Sequence, residues 1–368
     1  MKSLGIYIHI PFCLSKCNYC GFYSRGGTSS AEQESYIESL IGDIKTYSSL
    51  YSSRYLVDTV FIGGGTPSIL EAGLVGKVLA ALRAHFDIAE DAEITIESNP
   101  RTLTEEKLTA YRQARINRLS IGLQSFDENC LKTLGRVHTV QDFVGNYQMA
   151  RACGGFDNIH VDLMFAVPGH TMEIWEDTLE RTIALAPEHI SFYSLQIEEE
   201  TPFYDLFMAG EFDQVPDDVD REMYHTAIRR FKKAGYEHYE ISNCAKPGRQ
   251  CRHNLKYWSM EDYLGIGSGA SSYVDGIRFT QPPLSSFHEN GFADDTAEFV
   301  FTGLRKTSGI CLETFKERYG RDFWKVFADR RSALSPYFES GQLVEEDGIL
   351  RLSEEGFDIS NAIMAIFV

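Results

Sequence analysis

Gly5-Ile6-Tyr7-Ile8-His9-Ile10-Pro11-Phe12-Cys13-Leu14-Ser15-Lys16-Cys17-Asn18-Tyr19-Cys20 runs from an alternating, β-branched strand into a C-x3-C-x2-C loop. Three of the chain's 8 cysteines sit in that loop, while Cys130, Cys153, Cys244, Cys251 and Cys311 lie scattered. Met1-Lys2-Ser3-Leu4-Gly5 leads straight into the strand, so no signal peptide is expected. A disulfide framework is disfavoured in that setting, and a metal or catalytic role is favoured. Three thiolates at this spacing can wrap one corner of a cuboidal iron–sulfur cluster, leaving the fourth iron without a protein ligand. A zinc site that recruits His9 or another residue is a second reading. A redox pair of Cys17 and Cys20 is a third.

Working outward, β-branched runs over 5–10, 57–63, 93–98, 118–123, 158–166 and 189–195 read as strands. Amphipathic stretches over 31–51, 71–84, 104–112, 140–152 and 172–186 read as the helices between them. Strict alternation implies a parallel sheet with right-handed crossovers. A closed barrel of this kind takes eight strands, so six imply an open, partial barrel. Chemistry in parallel α/β folds gathers at the carboxyl ends of strands. The cysteine loop, Gly63-Gly64-Gly65-Thr66-Pro67, Glu97-Ser98-Asn99-Pro100, Gln124-Ser125 and Asp162 all fall at or near such ends. They are expected to converge on one mouth.

The remainder is less regular. A helix is expected over 217–234, then, after about residue 286, helices around an alternating segment with an Asp347-Gly348 turn, which is a hairpin signal. The division expected is a barrel over 1–230, a connecting region over 231–285 and a small helical, winged-helix-like C-terminal domain over 286–368.

The chain of 368 residues is 43% hydrophobic and 24% charged, which suits a globular protein with a real core. No apolar run approaches the ~18 residues of a membrane helix. A soluble, cytoplasmic protein is expected, with peripheral membrane contact left open. A net charge of -18 argues against a sequence-independent grip on nucleic acid. The charge is uneven: residues 198–222 hold ten acids and one base, residues 229–256 eight bases and two acids. Two solvated helix faces explain this simply; a basic lip for a small anionic ligand is the sharper reading.

Tyr7-x-His9-Ile10-Pro11-Phe12-Cys13, the three-cysteine loop and Gly63-Gly64-Gly65-Thr66-Pro67 together resemble radical S-adenosylmethionine (SAM) proteins. More narrowly, they are similar to the oxygen-independent coproporphyrinogen III oxidase family, through nearly the whole chain. The resemblance implies a [4Fe–4S] cluster on Cys13, Cys17 and Cys20, with SAM on the open iron and reduction cleaving SAM to a carbon radical. It also implies a SAM site of Tyr7, Tyr19, Gly64, Gly65, Thr66, Glu97, Gln124, Arg136 and Asp162. The glycines would let the backbone approach the cofactor, Glu97 would accept from a ribose, and Arg136 would suit a carboxylate.

Within that family, the oxidase pattern is C-x3-C-x2-C-x-C with a long N-terminal extension. Here Phe22 stands two after Cys20, and 12 residues precede Cys13. Both departures point to the haem-chaperone (HemW-type) branch. Arg252-His253-Asn254-Leu255-Lys256-Tyr257-Trp258 is similar to that branch's H-N-x-x-Y-W motif. The likeness implies haem as cargo, with His253 as iron ligand, Tyr257 and Trp258 as flat partners, and apo-haemoproteins such as respiratory-chain components as recipients. Arg249, Arg252 and Lys256 would meet the propionates, and Cys244 or Cys251 would compete as ligand. His253 and Trp258 could equally be packing residues. His170 and Ser271 depart from residues usual in relatives. A coproporphyrinogen oxidase and a non-catalytic zinc-stabilised interaction protein remain the alternatives, and whether radical catalysis occurs is left open.

Overall fold

The computed structural model describes residues 1–156 and 158–368. Six strands, β1 (Lys2–Ile10), β2 (Tyr55–Gly64), β3 (Ile88–Ser98), β4 (Arg118–Gln124), β5 (Asn158–Phe165) and β6 (His189–Ser194), pair in chain order. Every one of these pairings is parallel. Helices α1 (Ser30–Tyr51), α2 (Ala72–His85), α3 (Glu105–Gln113), α5 (Val140–Cys153) and α6 (Met172–Leu185) alternate with them. This is the partial (β/α)6 barrel expected. The helix starts are written locally: the side chains of Ser29, Thr104, Thr139 and Thr171 each accept from a first-turn N–H, satisfying donors a helix cannot satisfy itself.

Period-two alternation divides each strand between two environments. Leu4, Ile6, Ile8 and Ile10 of β1 are buried in the layer beneath the helices, as are Ile94 and Ile96 of β3 and Leu119 and Ile121 of β4. The intervening residues face the barrel interior and are mostly polar: Glu97, Arg118, Ser120, His160, Asp162 and Ser191 bond or lie near one another, and Thr59 meets His253. Burying apolar surface outside the barrel therefore leaves the inside free for chemistry.

Residues after β6 extend the sheet at both edges. On the β6 side, β7 (Glu237–Glu240) and β8 (Asn243–Ala245) add antiparallel strands, giving the order β6-β8-β7. On the β1 side, β9 (Tyr263–Ile266) pairs parallel with β1, followed by antiparallel β10 (Ser271–Val274), β11 (Ile277–Thr280) and β12 (Ser286–Glu289). The segment read as a connecting region thus adds strands on both sides of one 12-stranded sheet, whose edge strand β12 begins the stretch read as the C-terminal domain. Long-range pairing of this kind leaves no local pattern in strands of three or four residues.

The C-terminal part packs α10 (Phe292–Gly303), α11 (Leu312–Tyr319) and α12 (Arg331–Glu339) beside a three-stranded sheet of β13 (Ile310–Cys311), β15 (Ile349–Leu352) and β14 (Leu343–Glu346). Asp347 and Gly348 take φ of 52° and 75°, the left-handed pair a two-residue hairpin turn requires. The unit docks on α8 (Asp217–Lys233) through Lys232–Glu354, Arg221–Asp358 and His225–Asp358. Among the described residues no helix is long and apolar enough to cross a membrane.

Candidate cluster and cofactor site

The cysteine loop is held at its centre by Asn18. Its backbone N–H donates to the Leu134 carbonyl (3.0 Å), its amide to the Thr133 carbonyl (2.9 Å), and its carbonyl accepts from Phe203 N–H (3.0 Å). Thr133 ends the short helix α4 (Glu128–Thr133), and Phe203 lies in α7 (Pro202–Met208). At Gly135, with φ of 73°, a Cβ would stand 2.9 Å from Asn18 Oδ1, so a glycine is needed for this approach. Cys13, Cys17 and Cys20 are unpaired and partly exposed. Burial, with Cys17 and Cys13 nearby, pushes the Cys20 thiol up. Among the described residues no three His, Cys, Asp or Glu side chains close on a single ion.

Two of the three sulfurs face side-chain donors. Thr66 Oγ1 lies 3.7 Å from Cys13 Sγ, and Arg136 Nη1 lies 3.6 Å from Cys17 Sγ. The strand-end glycines press against the same loop. A Cβ on Gly65 would meet the Phe12 carbonyl oxygen at 2.6 Å and Cys13 Sγ at 2.9 Å; one on Gly64 would strike the His9 ring at 2.6 Å. His9 is fixed between the Tyr7 hydroxyl (3.0 Å from Nδ1) and the Tyr23 carbonyl (2.9 Å from Nε2), a structural role.

Below the mouth, Glu97 accepts from Gly64 N–H at 3.1 Å. Burial, then the Asp162 carboxylate, raises its carboxyl to about 8, so it holds its proton at neutral pH. Desolvation pushes Asp162 the same way, but His160 (3.1 Å) and Ser120 (3.1 Å) outweigh it and hold that carboxyl below its ordinary value. Two neighbouring carboxyls therefore sit in opposite protonation states. Gln124 ends β4 with φ of 74°, and Tyr19 packs with Leu134, Met164, Val167 and Phe203. The structure thus gathers the nine residues read as a SAM site around one opening and the barrel interior beneath it.

The three residues read as a haem site are not gathered on one surface. Helix α9 (Arg252–Trp258) plugs the opposite, amino-terminal end of the barrel. His253 has no exposure; its Nδ1 lies 2.8 Å from Thr59 Oγ1 and its Nε2 2.8 Å from the Tyr257 hydroxyl. Tyr257 lies close to Tyr7 and Glu97, on the barrel side. Trp258 faces the other way, with the Arg305 guanidinium 4.3 Å from its ring centroid. Cys244 and Cys251 are fully buried, and burial pushes the Cys251 thiol up to about 12, which disfavours a thiolate there.

The basic run is not one helix face: it passes from the end of α8 through β7 and β8 to α9. Arg229, Arg230, Lys232, Lys246, Arg252 and Lys256 each pair with an acid. Lys256 is 3% exposed, between Asp58 and Glu261 at the barrel floor, so these bases do not form one anion-binding lip. Sequence reading missed Glu93, whose carboxylate accepts from the backbone N–H of Arg252 and of His253 (both 3.1 Å) and so caps α9 from a distant strand. It also missed Arg118, 1% exposed with no hydrogen-bond partner for its guanidinium among the described residues, and Asn99, which links Arg136 to Thr66. The available signal was polar residues at alternate positions of otherwise apolar strands.

Residues 7–182 match the Radical SAM superfamily model, and residues 293–359 match the HemN C-terminal domain. The heme chaperone HemW of Bacillus subtilis (strain 168) is 34% identical over 385 residues, covering 100% of this chain and 99% of that protein. The heme chaperone HemW of Buchnera aphidicola subsp. Acyrthosiphon pisum is 39% identical, with coverage of 100% and 99%. Among solved structures, the coproporphyrinogen III oxidase HemN of Escherichia coli superposes with a TM-score of 0.86 at 21% identity, covering 100% of this chain and 90% of that one. The last likeness speaks for the fold alone. With full-length relatives at this identity and both domain models matched in order, the chain belongs to the heme chaperone HemW family of the radical SAM superfamily.

Proposed function

We propose that this chain carries a [4Fe–4S] cluster on Cys13, Cys17 and Cys20, binds SAM at the open iron, and receives haem for transfer to apo-haemoproteins such as respiratory-chain components. The observation that carries the reading is the loop itself: three free, partly exposed thiols on one anchored turn, two of them facing side-chain O–H or N–H donors. Such donors suit thiolates on an anionic cluster. Phe22, 70% exposed, occupies the position where the oxidase pattern has its fourth cysteine. The residues around the loop also fit SAM. Gly64 and Gly65, lacking Cβ, let the end of β2 close onto His9 and Cys13, Arg136 offers a guanidinium to a carboxylate, and Glu97 and Asp162 line the interior below. When bound, the cluster and SAM would supply one-electron chemistry; this chain's residues hold, orient and enclose them.

Haem is proposed as cargo on the strength of family membership. Ligation by His253 requires its ring to give up Thr59 or Tyr257, so haem uptake there would open the barrel floor. The test is anaerobic reconstitution with iron and sulfide, followed by haem titration by absorbance with and without SAM, beside His253→Ala. Stoichiometric haem binding with a cluster supports the reading. A cluster with robust conversion of coproporphyrinogen would replace it with the oxidase, and about one zinc per chain without iron or sulfide would defeat it.

A further inference from the structure

We infer that Asn99 is a positioning residue that aims donors at two cluster cysteines at once and so sets the reduction potential of the group they hold. This rests on the proposed cluster ligation by Cys13 and Cys17. Asn99 follows β3, and its side chain lies between Thr66 and Arg136: its Nδ2 donates to Thr66 Oγ1 at 2.7 Å, and its Oδ1 accepts from Arg136 Nη2 at 2.5 Å. The orientation of the amide is forced, because a guanidinium only donates. The oxygen must face Arg136, so the NH2 must face Thr66.

Two consequences follow. Thr66 Oγ1 accepts from Asn99, which leaves its own hydrogen for Cys13 Sγ, 3.7 Å away. Arg136 has Nη2 tied to Asn99 and to the Gly122 carbonyl (2.8 Å), which turns Nη1 toward Cys17 Sγ at 3.6 Å. Asn99 is itself fixed, its N–H donating to Ser68 Oγ (3.4 Å) and its carbonyl accepting from Thr102 Oγ1 (2.6 Å). Gly122 makes room for the link, since a Cβ there would lie 2.8 Å from Asn99 Oδ1. Donors on thiolate sulfur stabilise the more negative, reduced cluster and raise its potential.

Asn99→Asp keeps the shape but has only acceptors when ionised, so the Thr66 hydrogen turns away from Cys13 to the new carboxylate. The experiment measures iron and sulfide per chain, then the reduction potential by EPR-monitored titration of the anaerobically reconstituted protein. The variants are Thr66→Val, Thr66→Ser, Asn99→Asp, Asn99→Leu and Thr66→Val/Asn99→Asp. Expected are more negative potentials for Thr66→Val, Asn99→Asp and Asn99→Leu, with Thr66→Ser near the parent. In the Asn99→Asp background, Thr66→Val should add little, because that hydroxyl no longer serves the sulfur. Additive shifts, or an unchanged potential in both Asn99 variants at full iron content, would overturn the inference. Should Asn99→Leu not retain a cluster, the isosteric Asp variant and the double variant still decide. Absence of iron and sulfide from the parent protein would instead remove the cluster reading itself.

Discussion

Glu97→Gln should stabilise the protein, by an amount that depends on pH. The folded carboxyl titrates at about 8 against an ordinary value of 4.5, mainly because it is buried and next because Asp162 stands near it. Between those values the folded state keeps a proton that the unfolded chain has released. Stability contributed by Glu97 therefore falls as pH rises through this window, by ~1.4 kcal/mol per pH unit, and levels off above pH 8. At pH 7 the cost is about 3 kcal/mol as an upper bound, since Glu97 is only partly buried and solvent screens part of it. Glutamine carries no such proton equilibrium, and its amide oxygen can still accept from Gly64 N–H. Equilibrium urea unfolding of the cluster-free protein at pH 5, 6, 7 and 8 gives the difference between variant and parent. The gap should be small at pH 5 and widen steadily to pH 8. A gap that does not change with pH would refute the assignment of a protonated Glu97.

Replacing Cys13, Cys17 and Cys20 together with Ala should abolish iron and sulfide binding while leaving the circular dichroism spectrum unchanged, because these thiols are partly exposed and outside the apolar core. Gly65→Ala forces a methyl onto the Phe12 carbonyl and Cys13 Sγ; a loss of about 1–3 kcal/mol in urea unfolding and reduced iron content are expected. His253→Ala empties a fully buried site and strands the Thr59 and Tyr257 hydroxyls, so about 3 kcal/mol should be lost, and a change under 0.5 kcal/mol would deny α9 its role as a plug. Asp358→Ala removes the partly exposed contacts to Arg221 and His225 and should cost less than about 1 kcal/mol, with the C-terminal domain still docked by limited proteolysis.

Strand and helix periodicity, the cysteine spacing and the strand-end glycines were legible in the residue order, because each is a local property: a side-chain alternation, a loop length, a backbone without Cβ. From them came the six-stranded partial barrel and the meeting of the cysteine loop, Gly63–Gly65, Glu97, Gln124 and Asp162 at one mouth. The short helix α4 was not legible, since six residues are too few to show a period, yet its end both anchors Asn18 and leads into Arg136.

What the tertiary structure alone decided is which polar groups find each other across long stretches of chain. Glu93 caps a helix that begins 159 residues later, Thr59 meets a histidine 194 residues later, and Asn99 joins Thr66 to an arginine 37 residues on. Spacing along the chain carries no record of such pairs, because they are made by strands wrapping one interior. That is why the H-N-x-x-Y-W segment, whose His253 read either as a haem ligand or as a packing residue, is found at the barrel floor with both His253 nitrogens engaged. A buried imidazole and an exposed ligand look alike in sequence; only the packing around them differs.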